Sequence, residues 1–183
     1  MFTKIRTTAL VFALGLAPAL ATANPMVGGA PMLVERNIVE NALNSADHTT
    51  LVAAVQAAGL VDALQGEGPM TVFAPVNAAF EALPAGTVET LLQPENRPML
   101  QRILTSHVVA GNLSGAEIMR RARASSDGFF HMQTLSGAPL SAQVRGGGLW
   151  IYDQSGNAGR VTIGDVNQSN GVIHVVDTVL LPR

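Results

Sequence analysis

The chain has 183 residues, eleven basic and thirteen acidic side chains, a net charge of −2 and no cysteine. This mild acidity argues against nucleic-acid binding, because phosphate recognition needs a basic surface. The lack of cysteine excludes disulfides, thiol catalysis and cysteine–zinc sites, and the length suits one folded domain.

The first residues have the composition of an export signal. Lys4 and Arg6 form a short positive region, residues 9–16 (ALVFALGL) are uncharged and almost wholly apolar, and Ala21 and Ala23 form a small-x-small cleavage site. This three-part pattern predicts a signal peptide over residues 1–23 that is removed after export. We therefore expect a secreted or periplasmic protein.

A membrane anchor is the alternative interpretation of the same segment. The uncharged stretch over residues 7–23 contains Pro18 and is shorter than the roughly 20 apolar residues that a spanning helix needs. We therefore favour cleavage and expect a mature protein that does not span the membrane. Residues 24–36 are rich in proline and glycine and predict a flexible leader, with the folded domain over residues 37–182.

Helical patterns dominate the first half of that domain. Apolar residues recur at helical spacing over 38–43 and 51–58, with Asp47 placed to cap the second helix and Gly59 to end it. A short strand over 71–74 follows. A further capping box at Ser114 and Glu117 predicts a helix that ends near Ala124.

The pattern changes to strands after Asp127. Apolar and β-branched runs alternate with glycine-bearing turns, and Gly146–Gly148 is typical of a hairpin connection. The runs cover 129–135, 140–144, 149–152, 161–166 and 172–180. Helices followed by strands predict an α+β fold, with helices packed against one face or end of an antiparallel sheet.

Two segments carry a family resemblance. Residues 71–80 (TVFAPVNAAF) resemble the first signature of the fasciclin domain, and residues 170–182 (NGVIHVVDTVLLP) resemble the second. Between them, His107–Gly111 (HVVAG) resembles the central segment of the family. The resemblance implies a fasciclin-like fold, a helical bundle packed with a twisted β wedge. It also implies an exported or cell-surface module associated with adhesion and matrix contact; a few members of the family bind carotenoids.

The motif residues are interpreted as mainly structural. Pro75 ends a strand, Asn77 is placed to cap the helix after it, and Gly171 follows Asn170 in a turn that tolerates positive φ. Strand alternation puts His174 and Asp177 on opposite faces, which argues against a catalytic pair. The full set is Thr71, Phe73, Pro75, Asn77, Phe80, His107, Gly111, Asn170, Gly171, His174 and Asp177.

Partner contacts are predicted at four positions. The central segment, in which family members carry recognition, contributes His107 and Val108, although Ser106 replaces the tyrosine that the family has beside this histidine. Trp150 and Tyr152 point the same way in an alternating strand and are the second pair. The alternative is that their face belongs to the core.

No catalytic, metal or cofactor site is predicted. The four histidines lack HxH or HxxxH spacing, and no serine lies in a GxSxG nucleophile elbow. The sequence therefore favours a non-catalytic interaction module for a cell-surface, matrix or polysaccharide component. The alternative function is carriage of a small apolar ligand such as a carotenoid or lipid.

The export prediction has a direct test. Because cleavage is expected after Ala23, N-terminal sequencing of the exported protein should begin at Asn24. Recovery of exported protein that still begins at Met1 would contradict the cleavage.

Overall fold

The computed structural model describes residues 24–183, so the predicted signal peptide over 1–23 lies outside the described residues. None of the helices within 24–183 has the length and apolarity needed to cross a bilayer. The strands are β1 Met26–Val27, β2 Ala30–Pro31, β3 Met70–Pro75, β4 Val108–Ala110, β5 Phe129–Gln133, β6 Pro139–Arg145, β7 Gly148–Tyr152, β8 Ala158–Gln168 and β9 Gly171–Val176. The helices are α1 Ile38–Ala42, α2 Thr49–Ala58, α3 Val61–Gln65, α4 Asn77–Glu81, α5 Thr87–Leu91, α6 Arg97–Thr105 and α7 Gly115–Ala124.

A seven-stranded sheet organises the domain. Its strand order is β4-β3-β9-β8-β7-β6-β5, and a bridge between Val109 and Thr134 joins its two edge strands, so the sheet is nearly closed. The predicted α+β class is confirmed. The predicted antiparallel sheet is wrong at one pair, because β3 and β9 run parallel while every other neighbouring pair is antiparallel.

The sheet buries apolar side chains on both sides. On one side, Val72, Ile173 and Val175 pack with residues of α1 and the N-terminal segment. On the other, α7 places Ile118 against Ile151 and other side chains of β5–β7. Central strands β3 and β9 are therefore buried along their whole length.

The segment predicted as a flexible leader is ordered and packed. Strands β1 and β2 form a small hairpin whose turn residues, Gly28 and Gly29, have positive φ values of 58° and 77°. Val27 and Met32 are buried in the core beside the sheet. The glycines that made residues 24–36 look structureless are the turn of this hairpin, and the apolar residues around them hold it in place.

Local signals predicted two helix boundaries correctly. Gly59 ends α2 in the left-handed conformation with φ 68°, and Ser114 caps α7 by accepting a hydrogen bond from the Glu117 N–H at 3.2 Å. Asp47 was assigned wrongly: it lies exposed in a short 3₁₀ turn, and α2 has no side-chain cap from the residue before it.

The cap of α2 comes from Asn77 instead. The Asn77 Oδ1 accepts from the Thr50 N–H at 3.0 Å and from the Thr49 hydroxyl at 3.2 Å, and its Nδ2 donates to the Ala46 carbonyl at 2.9 Å. The prediction that Asn77 caps its own helix is therefore wrong, since the N-cap of α4 is Val76. Asn77 joins the β3–α4 corner to the start of α2.

Asn170 and Gly171 connect distant segments. The Asn170 side chain accepts from the Ile38 N–H at 3.1 Å and donates to the carbonyls of Leu64 and Gly66 at 2.9 and 3.0 Å. Gly171 does not have the positive φ that was predicted. It is needed for a different reason: a Cβ at this position would collide with the Met70 carbonyl oxygen of the neighbouring strand.

Asn77→Ala should lower the free energy of unfolding by about 1–2 kcal/mol, because α2 loses its N-terminal cap. Asn77→Asp is the matched control: it keeps the acceptor for Thr50 and loses only the donor to Ala46. Urea denaturation of the three proteins measures the effect. An alanine variant as stable as the wild type would show that this cap contributes nothing.

Candidate functional site

His107 lies in the interior between the end of α6 and the C-terminal segment. Its Nε2 accepts from the Leu180 N–H at 2.9 Å, so its Nδ1 carries the proton and donates to the Ile103 carbonyl at 2.8 Å. Burial lowers the pKa of His107 to about 4, with only partial opposition from the Ile103 backbone and the Asp153 charge. This neutral imidazole ties two distant segments together.

Ser106, which stands where the family has a tyrosine, is also buried. Its hydroxyl donates to the Ile103 carbonyl at 2.6 Å and lies 3.3 Å from the Leu180 carbonyl. Both backbone groups of Leu180 are thus bound by the pair Ser106 and His107. In this chain the position holds the C-terminal segment and has no exposed surface for a partner.

His174 has a comparable role in β9. Its Nε2 donates to the Leu113 carbonyl at 2.8 Å, its Nδ1 accepts from the Asp165 N–H at 3.2 Å, and its ring stacks on Phe73 at 5.6 Å. Burial lowers the pKa of His174, so the ring is neutral here as well. Asp177 bonds elsewhere, accepting from the Arg160 N–H at 2.8 Å.

The remaining motif residues hold strand β3 in place. The Thr71 hydroxyl donates to the Gly111 carbonyl at 2.7 Å and accepts from the Leu113 N–H at 2.9 Å. Pro75 lies opposite Val176 at the end of the parallel pair, and Phe80 is buried against the helices. Most motif positions thus form an internal framework, whereas Asp177 is exposed.

The four predicted partner contacts separate into two groups. His107 and Val108 are each only 3% exposed, which leaves them no contact surface. Trp150 and Tyr152 are half-buried and point away from the core, which receives Leu149 and Ile151 of the same strand. The alternative that the Trp150–Tyr152 face is core is therefore wrong.

Neighbouring strands extend this surface, which we call the outer face. Tyr152 lies opposite Ser141 and donates through its hydroxyl to Gln143 at 3.0 Å, while its ring meets Phe129 edge-on at 5.6 Å. The outer face comprises Phe129, His131, Ser141, Gln143, Arg145, Trp150, Tyr152 and Arg160. It carries three of the six aromatic side chains of residues 24–183.

Two arginines flank Trp150 on the outer face. The Arg145 guanidinium lies over the indole, 5.7 Å from the ring centroid, and Arg160 is the β8 residue opposite Trp150. Neither forms an ion pair within the described part of the chain, where the ion pairs join Glu117 to Arg120 and Arg121 and Asp127 to His131.

Sequence reasoning missed Phe129, Arg145 and Arg160, although a usable signal was present. A two-residue turn at Gly146–Gly147, both with positive φ, places Arg145 opposite Gly148 and Gln143 opposite Trp150. Applying that register would have put Arg145 close to Trp150.

A hydrogen-bonded chain of serine, histidine and aspartate crosses the outer face. His131 Nδ1 lies 2.8 Å from the Ser141 hydroxyl and its Nε2 lies 3.0 Å from Asp127. Hydrogen bonds from Ser125, from the Phe129 N–H and from His131 hold the pKa of Asp127 below its ordinary value.

The hydrogen-bonded set of Ser141, His131 and Asp127 does not have the geometry of a nucleophilic site. Acyl transfer needs donors aimed at a developing oxyanion. Ser141 lies inside β6, whose backbone amides are committed to ladders with β5 and β7. The three side chains therefore fix one another on the surface.

A partly open cavity lies between α1, α2 and the sheet. Its volume is about 110 Å³, and its lining is almost wholly apolar, including Val39, Val52, Val55 and Ile173. His48 is one of its polar residues: its Nδ1 bonds to the Ser45 hydroxyl at 2.8 Å, and its Nε2 has no hydrogen-bond partner with acceptable geometry within the described residues. Burial lowers the pKa of His48, and the Ala74 backbone opposes this shift in part.

Metal-ligating side chains do not converge within residues 24–183. No group of three histidine, aspartate or glutamate residues lies close enough in this part of the chain to hold an ion. The candidate binding sites are therefore the outer face and the cavity between α1, α2 and the sheet.

Comparison with known proteins agrees with this architecture. The fasciclin domain model matches residues 46–182. Protein sll1483 of Synechocystis is 49% identical over 145 residues, covering 79% of this chain and 73% of that protein. Cell surface glycolipoprotein MPB83 of Mycobacterium bovis is 42% identical over 123 residues, covering 67% of this chain and 48% of that protein.

One solved structure shares the fold. A FAS1 domain pair from the insect cell adhesion molecule fasciclin I superposes with a TM-score of 0.71 at 18% sequence identity. The match covers 80% of this chain and 51% of that one, so the present chain spans about half of its length.

His107→Gln should weaken the dependence of stability on pH. The folded pKa is about 4 against an ordinary value of 6.5, so the unfolded chain takes up a proton first as the pH falls. The stability from this group is complete above about pH 6.5 and is lost as the pH is lowered toward about 4. His48 and His174, whose pKa values are also lowered, should preserve part of the slope.

Urea denaturation across this pH window measures the slope. At neutral pH the His107→Gln protein should be about 1–3 kcal/mol less stable than the wild type, because one amide group cannot replace both ring nitrogens and leaves either the Leu180 N–H or the Ile103 carbonyl without its bond. Ser106→Ala is the matched control: it removes neighbouring hydrogen bonds without removing a titrating group, so its slope should equal that of the wild type. An unchanged slope in His107→Gln would contradict the assignment.

Proposed function

This chain belongs to the fasciclin domain family, and from that premise we propose that it is a non-catalytic interaction module that contacts a cell-surface, matrix or polysaccharide component. Two of its relatives are described as a cell surface glycolipoprotein and a cell adhesion molecule. The observation that carries the proposal is the outer face, where Trp150 and Tyr152 meet solvent.

The aromatic content of the outer face supports a binding role. Aromatic and arginine side chains are enriched in the energetically important parts of interfaces, because they bury much area and also offer polar groups. Phe129, Trp150 and Tyr152 lie on this face in a domain that has few aromatic residues. The motif histidines, by contrast, are buried with both ring nitrogens bonded.

Export is part of the same proposal. The predicted signal peptide over residues 1–23 supports it, and it would bring the outer face to the periplasm or the cell exterior. We propose a mature domain that starts near Asn24, since the hairpin of β1 and β2 packs on the core.

Carriage of a small apolar ligand is the second candidate, and the cavity lined by Val39, Val52 and Val55 favours it. Its volume of about 110 Å³ limits the occupant. Apolar cavities of about 150 Å³ accept benzene or xenon. Sites for drug-sized ligands measure roughly 300–1,000 Å³.

A benzene-sized molecule therefore suits this conformation, whereas a carotenoid would require α1 and α2 to separate. The absorbance spectrum of protein purified natively tests the larger ligand. A bound pigment would show that the cavity opens.

Trp150→Ala should weaken attachment to cell envelopes of the source organism by about thirtyfold, the loss typical of a central aromatic contact. Met99→Ala is the matched control, because Met99 is a large apolar residue that is 60% exposed and lies on α6, outside the outer face. A pull-down with cell envelopes, together with a thermal denaturation curve, separates lost contact from lost folding. Equal attachment of both variants and the wild type would contradict the proposed surface.

A further inference from the structure

Donor groups converge at the β6–β7 hairpin of the outer face. Gly148 has no side chain, and the position that its Cβ would occupy is 3.6 Å from Arg160 Nε and 3.8 Å from Trp150 Nε1. Arg145 directly precedes the turn at Gly146–Gly147, and its guanidinium covers the face of the Trp150 indole. The Arg160 guanidinium and the Trp150 indole N–H thus come close together at Gly148, where the Arg145 carbonyl oxygen also lies 3.6 Å from the same point.

These donors are not satisfied within the described protein. The side chains of Arg145, Trp150 and Arg160 donate no hydrogen bond to any residue of 24–183. Two carboxylates of neighbouring segments bond to other groups: Asp127 bonds to His131 and the Phe129 N–H, and Asp177 accepts from the Arg160 backbone N–H. Two unpaired cations therefore stand together in a domain whose overall charge is negative.

An anion would complete this arrangement. Guanidinium groups bind carboxylates and sulfates through paired, charge-assisted hydrogen bonds, and the indole N–H supplies one more donor. The positive side chains of Arg145 and Arg160 at this end of the outer face suit an acidic ligand.

The rest of the outer face suits a sugar chain. Trp150 and Tyr152 are two positions apart on one strand, about 7 Å, and Phe129 lies edge-on to Tyr152. Aromatic rings pack against the C–H faces of pyranose rings. Gln143 and Ser141, which lie on β6 opposite Trp150 and Tyr152, offer hydrogen bonds to sugar hydroxyls. Nucleic acid fits less well, because two arginines are a small basic footprint for a phosphate backbone.

Building on the proposed function, we propose that the outer face binds an acidic polysaccharide and that Arg145, Trp150 and Arg160 hold its carboxylate or sulfate groups. Phe129 and Tyr152 support the sugar rings beside this anion site.

Binding of the purified domain to polygalacturonate, dextran sulfate and neutral dextran tests the proposal. The wild type should bind the two acidic polymers, should bind them more weakly as salt is added, and should not retain dextran. Arg145→Gln combined with Arg160→Gln should weaken binding about tenfold or more. Trp150→Phe, which keeps a ring and removes the indole N–H, should produce a smaller loss.

A matched control is available elsewhere on the chain. Arg36→Gln combined with Arg123→Gln removes the same charge from two exposed arginines that form no ion pair within the described residues. This control should bind the acidic polymers as the wild type does. Thermal denaturation of both double variants should give wild-type midpoints, so that weaker binding reports a lost contact.

Three results would overturn the proposal. The first is that the two double variants bind the acidic polymers equally well. The second is that neutral dextran retains the wild type as well as the acidic polymers do. The third is that the wild type binds phosphatidylcholine–phosphatidylglycerol vesicles but neither acidic polymer. Attachment to cell envelopes, measured in parallel, separates failure of the acidic-polysaccharide site from failure of the proposed function. A wild type that attaches to envelopes but binds neither acidic polymer would refute the acidic polysaccharide and leave the interaction module standing, whereas loss of both would refute both.

Discussion

Strands β3 and β9 pair in parallel from Met70 opposite Gly171 to Pro75 opposite Val176. Both strands are buried along their length, and the order of the sheet places every other strand outside them. The pair forms only because Gly171 lacks a side chain where the β3 backbone passes. Since a parallel pair needs a long crossover, four helices, α4 to α7, and five strands, β4 to β8, lie between its two members in the chain.

Buried polar groups then fix the surrounding elements to this pair. The two imidazoles at His107 and His174 are neutral, and each has one nitrogen that donates and one that accepts. Asn170 and Asn77 satisfy the ends of helices that lie far away in sequence. A buried polar group left unpaired costs more than a bonded one contributes, so these contacts admit one arrangement of segments and disfavour others.

The same framework separates the interior from the contact surface. Most motif residues pack and form hydrogen bonds in the interior. The β-hairpins that follow α7 present aromatic and basic side chains on the outer face. Strand alternation makes this possible, because Leu149 and Ile151 secure β7 to the core while Trp150 and Tyr152 remain half-exposed. Function can therefore vary on the outer face without disturbing the core, as is common for sites carried on a stable fold.

Sequence alone predicted whatever depends on a few neighbouring residues: the α+β class, the end of α2 at Gly59, the cap at Ser114 and the family signatures. Tertiary structure decided the contacts between segments far apart in the chain. It showed the parallel pairing, the use of Asn77 by α2 and the packing of the hairpin over β1 and β2. Tertiary structure also decided that Arg145 and Arg160 lie beside Trp150. Capping and turn preferences act within a few residues, whereas strand register and burial are set by the whole core.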